Sequence, residues 1–261
     1  MDDAQNQVLA LRRMSRMDRC EKLNNLSASD ALSDKLTLLY LINDRSSSLR
    51  QEVIDLLVHI GSPLAQIGAR VAITDSSPLM RDRAAVALGI VGNRHDVYLL
   101  RKLLDDYSWN VRSSAALSLG LLKGDAAYAA LEKSLTKEKN PIVRRDIADA
   151  LSNHGDKAIA PLIQALKDEV DNNARVGLFF ALYKLGRRQF LQPFLELLDD
   201  PVDLTRHQVI NLIVTLVPNM HYEDLAEVIR TLKIALKQEN NPGIKKDAET
   251  ALDAVLTRQD N

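Results

Sequence analysis

A chain of 261 residues with 34 basic and 35 acidic side chains carries a net charge of −1, so it exerts no strong global pull on nucleic acid or an anionic membrane. Aromatics are only 4%, Leu and Ala dominate, and ten Gly with eight Pro recur in step, which points to packed helices and away from disorder. Residues 1–11 lack the apolar run of a signal peptide and no later stretch is long enough to span a bilayer, so a cytoplasmic protein is expected. The single cysteine, Cys20, excludes an intrachain disulfide and a cysteine zinc cluster and suits a reducing compartment.

The chain opens with a basic stretch, Arg12, Arg13, Arg16, Arg19 and Lys22, ahead of an apolar helix containing Leu36, Leu38, Leu39, Leu41 and Ile42. Residues 1–43 read as an N-terminal cap, with the basic stretch as its solvated face. From Asp44 onward a period of 31 takes over. Arg50, Arg81, Arg112, Arg144, Arg175 and Arg206 are separated by 31 residues except for one step of 32, and Lys245 follows after a longer insertion. Six positions before each stands an acid: Asp44, Asp75, Asp106, Glu138, Glu169, Asp200 and Glu239. Recurrence in every repeat predicts that this ladder ties consecutive loops together by charge-assisted hydrogen bonds and does no catalysis.

Ser46, Ser77, Ser108, Asn140, Asp171 and Asn241 precede the rungs by four residues and are expected to cap helix starts with their side chains; Val202 is the exception. Pro78, Pro141 and Pro242 follow at the first helical position. Leu57, Leu88, Leu119, Leu151, Leu182, Ile213 and Leu252, with the residues four before them, form one buried face. Gly61, Gly92, Gly124, Gly155 and Gly186 are expected to end these helices in the left-handed conformation. Second helices follow over 97–104, 126–135, 159–166 and 190–198. Each unit is then a helical hairpin whose stability comes from stacking on its neighbours. The far end is irregular, with Val217 and Pro218 where a Gly is usual and a long stretch from Asn219 to Asn241.

Segments such as Met80 to Gly92 and Val111 to Gly120 resemble short HEAT repeats of the phycobilisome-lyase-like type, over roughly residues 44 to 256. The resemblance implies an all-α solenoid, a superhelix of about six to seven helical hairpins: an N-terminal cap over 1–43, six repeats over 44–236 and a C-terminal capping helix over 237–261. It also implies two functional classes, protein-binding scaffolds and handlers of bilin chromophores on phycobiliproteins. The deoxyhypusine hydroxylases, another HEAT-repeat family, bind iron through repeated His-Glu pairs. Here His59, His95, His154, His207 and His221 are followed by Ile60, Asp96, Gly155, Gln208 and Tyr222, so no such pair exists. His154 stands where sister repeats carry the apolar Ile60, Val91 and Leu185 and reads as a hydrogen-bonded core side chain.

Neither a phosphate loop nor a nucleophile elbow is present, and no catalytic, cofactor or metal residues are expected. On the second helices, equivalent positions carry Arg101, Glu132, Gln164 and Glu196, followed by Lys102, Lys133, Ala165 and Leu197. Mixed signs suit a protein partner better than nucleic acid. Trp109, the lone Trp, takes the position of the helix-opening prolines two residues after Tyr107, and Tyr98 and Tyr128 lie near Arg101 and Glu132. These eight residues, Tyr98, Arg101, Tyr107, Trp109, Tyr128, Glu132, Gln164 and Glu196, are the expected partner-binding site of a non-enzymatic scaffold. Arg187 and Arg188 form a smaller basic site.

Overall fold

The computed structural model describes residues 3–29, 32–59, 61 and 64–260. Met1, Asp2 and Ile60, which enter the readings above, lie outside the described residues. The chain divides into two compact units, Met1–Leu131 and Glu132–Asn261. In the first, α1 (Asp3–Arg13), α2 (Arg16–Ala28), α3 (Leu32–Ile42), α4 (Ser47–His59) and α5 (Leu64–Ala72) lead into α6 (Pro78–Val91), α7 (Val97–Leu103) and α8 (Trp109–Leu122). The division falls inside α9 (Asp125–Leu135). The second unit continues with α10 (Pro141–Ser152), α11 (Ile159–Asp168), α12 (Asn172–Lys184), α13 (Leu191–Glu196), α14 (Asp203–Leu216), α15 (Tyr222–Gln238) and α16 (Pro242–Asp260). Among the described residues there is no strand, and each unit is a stack of helical hairpins in the all-α solenoid manner.

The apolar register works as expected except at Leu252, which is only partly buried. Leu57, Leu88, Leu119, Leu151, Leu182 and Ile213 are fully buried, as are Val53, Ala84, Ala115, Ile147 and Val209 one turn earlier. Burying one such Leu is worth about 2 kcal/mol, and the small residues beside it let neighbouring helices approach closely. Within the first unit Leu23, Leu38, Leu49, Val53 and Leu57 share one cluster; within the second Phe180, Phe194, Val209, Ile213 and Leu225 share another. The long stretch from Asn219 to Asn241 is not irregular: α15 fills it as an extended second helix.

The ladder joins consecutive repeats through both ends of each acid. Asp75 accepts the Ser77 amide at 2.8 Å and Arg50 of the preceding repeat at 3.0 Å, while its backbone carbonyl accepts Arg81 of its own repeat at 2.7 Å. Arg81 in turn donates to both oxygens of Asp106 at 2.6 and 2.9 Å. Arg144 grips Glu169 at 2.6 and 2.9 Å, and Arg206 grips Glu239 at 2.8 and 3.0 Å. Arg175 breaks the series. Its own place at Asp200 is taken by Asn172, whose amide donates to that carboxylate at 2.5 Å, and the Arg175 guanidinium lies over the Phe179 ring at 5.3 Å. At the other end the cap joins in: Arg12 donates to Asp44 at 2.9 and 2.5 Å.

Three local expectations need correction. Asn140, Asp171 and Asn241 do cap their helices, accepting the amides of Ile142, Asn173 and Gly243 at 2.9, 2.9 and 3.0 Å. Ser77 and Ser108 make no side-chain cap bond, and Ser46 shares its hydroxyl with Ser48. Gly92 is not left-handed, with φ −76°. It is glycine for lack of space, because a Cβ would lie 2.1 Å from the Leu88 carbonyl oxygen. In the third repeat the left-handed position belongs to Lys123, eleven residues after its rung like Gly61, Gly155 and Gly186; it holds φ 56° and Gly124 follows at 90°.

The side chains of Arg81 and Asp106 are only 9% and 7% exposed. Removing one member of so buried a pair strands the other charge, so Arg81→Met is expected to cost about 3 kcal/mol in urea unfolding, whereas Arg175→Met, at the broken rung, costs less than about 1 kcal/mol. Burial pushes the Asp106 carboxyl up, yet bonds from Arg81 and the Ser108 amide outweigh it and hold it below its usual value; Glu169 is held down in the same way by Arg144. A carboxyl with a lowered folded pKa stabilises above its unfolded value of about 4 and loses that contribution as pH falls through the folded one. Melting temperature should therefore be flat from pH 8 to 6 and fall below about pH 5, with a smaller acid-induced fall in Asp106→Asn. Lys123→Gly is expected to raise stability by about 1 kcal/mol by relieving a side chain from positive φ, seen as a higher urea midpoint.

Candidate functional site

In the first unit, Tyr98 and Arg101 project from α7 into solvent, and the Lys102 ammonium sits over the Tyr98 ring at 4.4 Å, holding its phenol below the usual range. Tyr107 is exposed in the turn before α8, but one of its faces covers the ladder, with the Arg81 guanidinium 4.8 Å from the ring centre. Trp109 opens α8 with 42% of its surface exposed, so part of its apolar face is open to solvent. Tyr128 is half-buried on α9.

The same face holds residues that sequence reading missed. Ile67 stands 31 residues before Tyr98, and Tyr40 stands 31 before Val71, which itself stands 31 before Lys102. All of Tyr40, Ile67 and Val71 are exposed. They lie on α3 and α5, which pack together, and α5 is fastened to the start of α7 by Asp96. That carboxylate is 1% exposed and accepts Arg70 at 2.6 Å, Gln66 at 2.8 Å and the Asn93 amide at 2.9 Å. Burial alone would raise its pKa; the Arg70, Asn93 and Gln66 bonds bring it below its usual value. Extending the register of Tyr98 backward by one repeat, and that of Lys102 by one and two, would have found this row.

Three of the eight expected residues fall in the second unit. Glu132 and Gln164 line a common cleft of about 640 Å³ between α9 and α11, with Leu135, Pro161, Asp168 and the Arg144–Glu169 rung. Glu196 is exposed on α13, apart from that lining, and accepts Gln192 at 3.5 Å. Of the basic site at Arg187 and Arg188, Arg187 is exposed but Arg188 is engaged. Arg188 donates to Asp224 at 2.6 Å and to Glu223 at 2.7 Å, and Asp224 also accepts the buried Tyr183 hydroxyl at 2.7 Å. Burial and that carboxylate raise the Tyr183 phenol well above its usual range. The N-terminal basic stretch is likewise spent in part, since Arg12 binds Asp44 and Arg16 and Arg19 both bind Glu52.

The pattern of HEAT repeats matches residues 34–120, 69–152 and 133–214, more than half of the chain. The chain belongs to the HEAT-repeat family. Among solved structures, the complex of CpcE and CpcF of phycocyanin lyase from Nostoc sp. PCC7120 superposes with a TM-score of 0.60 at 21% identity, covering 87% of this chain and 96% of that one. YibA of Escherichia coli gives 0.50 at 20% identity, over 92% and 98%. Both likenesses concern the fold. A deoxyhypusine hydroxylase of Arabidopsis thaliana is 28% identical over 155 residues, 59% of this chain and 49% of the relative, so this HEAT-repeat chain spans about half the length of the curated relative it matches. An iron site of paired His and Glu does not fit the residues here. None of the five histidines precedes a Glu, His207 faces Asp247 at 3.0 Å as a lone pair, and among the described residues no three His, Cys, Asp or Glu side chains converge. No described helix is long and apolar enough to cross a membrane.

Proposed function

We propose that this HEAT-repeat protein is a non-enzymatic adaptor that binds a protein partner on the second-helix face and adjoining loop edge of its first unit. The observation that carries this reading is the set of exposed residues Tyr40, Ile67, Val71 and Tyr98 on successive second helices, with Arg101 and Lys102 on the helix of Tyr98 and Trp109 exposed at the start of α8. Aromatic anchors beside an Arg are the composition of interface hot spots, and the apolar row supplies area while the cations set register. The repeat-protein complex of CpcE and CpcF supports a role in assembly, being itself a complex of two chains. Glu132, Gln164 and Glu196 form a separate part of the proposed site in the second unit.

That relative's lyase also suggests chromophore handling. The cleft of the second unit is large enough to interest a ligand, yet Glu132, Glu138, Asp168 and Glu169 face it with one guanidinium already engaged. Carboxylates on this scale oppose the propionate groups of a bilin, which favours the adaptor. A nucleic-acid role is disfavoured by the pairing of Arg12, Arg16 and Arg19.

Affinity capture from the source lysate with wild type beside Trp109→Ala/Arg101→Glu tests the reading. A discrete partner retained by wild type and reduced about tenfold in the still-helical variant is expected, a loss of about 1.4 kcal/mol. A shift in the absorbance of added bilin, with no partner retained, would instead establish chromophore handling.

A further inference from the structure

Repeats contain their own control, because one register position recurs on helices that do the same structural work. Five and nine residues after the rung, the first helices carry Asp55 and His59 on α4, Asp149 on α10 with Asn153 just past its end, and Asn211 and Thr215 on α14. On α12 the pair is Phe180, which is buried, and Lys184, which bonds Asp149. Stacking therefore asks for no exposed apolar side chain at these positions. On α6 and α8 they are Val86 with Ile90 and Leu117 with Leu121; all four are exposed, Ile90 and Leu121 to 60%. Leu79, also exposed, extends the row on α6 by two turns.

The two helices run parallel and in close contact. Ser114 bonds Asp82 at 2.5 Å, Ser118 bonds the Ala85 carbonyl at 2.8 Å, and a Cβ on Gly89 would lie 2.6 Å from the Ser118 hydroxyl. Close approach merges the two rows into one apolar stripe. From Leu79 to Ile90 it runs about 16 Å, three helical turns. Just past its C-terminal end stand two exposed cations, Arg94 and Lys123, neither in an ion pair among the described residues. Lys123 is also the residue that keeps a side chain where sister repeats place glycine, at a cost in backbone strain.

We propose that this stripe docks an amphipathic helix of a partner protein, apolar on the seated face and acidic where it meets Arg94 and Lys123. A helix laid along two parallel ridges buries its apolar residues at successive turns, and the paired cations fix its direction. Five side chains fall well short of the roughly 800 Å² per partner that a stable dimer of this chain would bury. The inference rests on the protein-binding reading but places a second contact on the first helices, away from the Tyr98 row.

The test titrates the 261-residue chain with two synthetic amphipathic peptides of about 18 residues, sharing one Leu face and carrying either Glu or Lys at one end, by fluorescence anisotropy. The Glu peptide should bind wild type at least about tenfold more tightly than Ile90→Asp/Leu121→Asp, and Arg94→Glu/Lys123→Glu should invert the preference toward the Lys peptide. Trp109→Ala/Arg101→Glu should bind as wild type does, which separates this site from the surface proposed above. Equal affinity for both peptides, or undiminished binding by Ile90→Asp/Leu121→Asp, overturns the proposal. So does sedimentation showing a dimer that this variant abolishes, or binding to phosphatidylserine-containing vesicles that it abolishes.

Discussion

The guanidinium of one repeat gripping the carboxylate of the next is the contact on which the rest of this structure depends. A hairpin of two short helices has too little core to fold alone, so what must be specified is how one hairpin sits on another. The rung does this with directional bonds. Arg81 reaches forward to Asp106 and back to the carbonyl of Asp75, so one planar group fixes two loops at once. Each acid also holds the amide of the residue two positions on, which shapes the turn that starts the next helix. Where Asn172 substitutes for Arg175 at Asp200, a neutral amide reaches the same carboxylate, and the freed guanidinium turns to an aromatic face.

With the loops fixed, the apolar register can be sparse. Ala84, Ala115 and Gly89 keep helix axes close, and the branched residues one turn away fill the space between hairpins. The outward positions are then released from structural duty. That freedom separates function from folding here: Asp55, Asp149 and Asn211 show that a polar residue serves at a position where Val86 and Leu117 are apolar. The exposed aromatics and aliphatics on the first unit, around Tyr98 on its second helices and around Ile90 on its first helices, are the surfaces proposed above for partner contact. In the second unit Tyr183, Asp224 and Arg188 form a partly buried polar cluster.

Much of this was legible in the sequence because a repeat writes the same physical requirement several times. The period of 31, the paired acid and base, the buried Leu register and most helix limits followed from spacing, since 3.6-residue periodicity and the chemistry of helix ends act locally. The family followed from the same residues. The sequence of the turns was less transparent. Gly92 and Gly124 looked alike, yet Gly92 answers a steric contact with Leu88, whereas Gly124 does hold a positive φ, directly after Lys123, a difference set by where the backbone already lies.

Tertiary structure decided which charges are spent and which side chains are exposed. Arg12, Arg19 and Arg188 read as open basic residues until their partners, about 32 to 36 residues away in the chain, came into place; no local rule brings Asp44, Glu52 or Asp224 to them. The expected binding residues were divided in the same way, with Glu132 and Gln164 drawn to one cleft and Tyr98 joined by Tyr40, Ile67 and Val71 from earlier repeats. By itself the sequence determined the repeat, its helices and the ladder, because those depend on neighbours at fixed spacing. Only the stacking of hairpins decided the surfaces, because exposure depends on what lies across the gap.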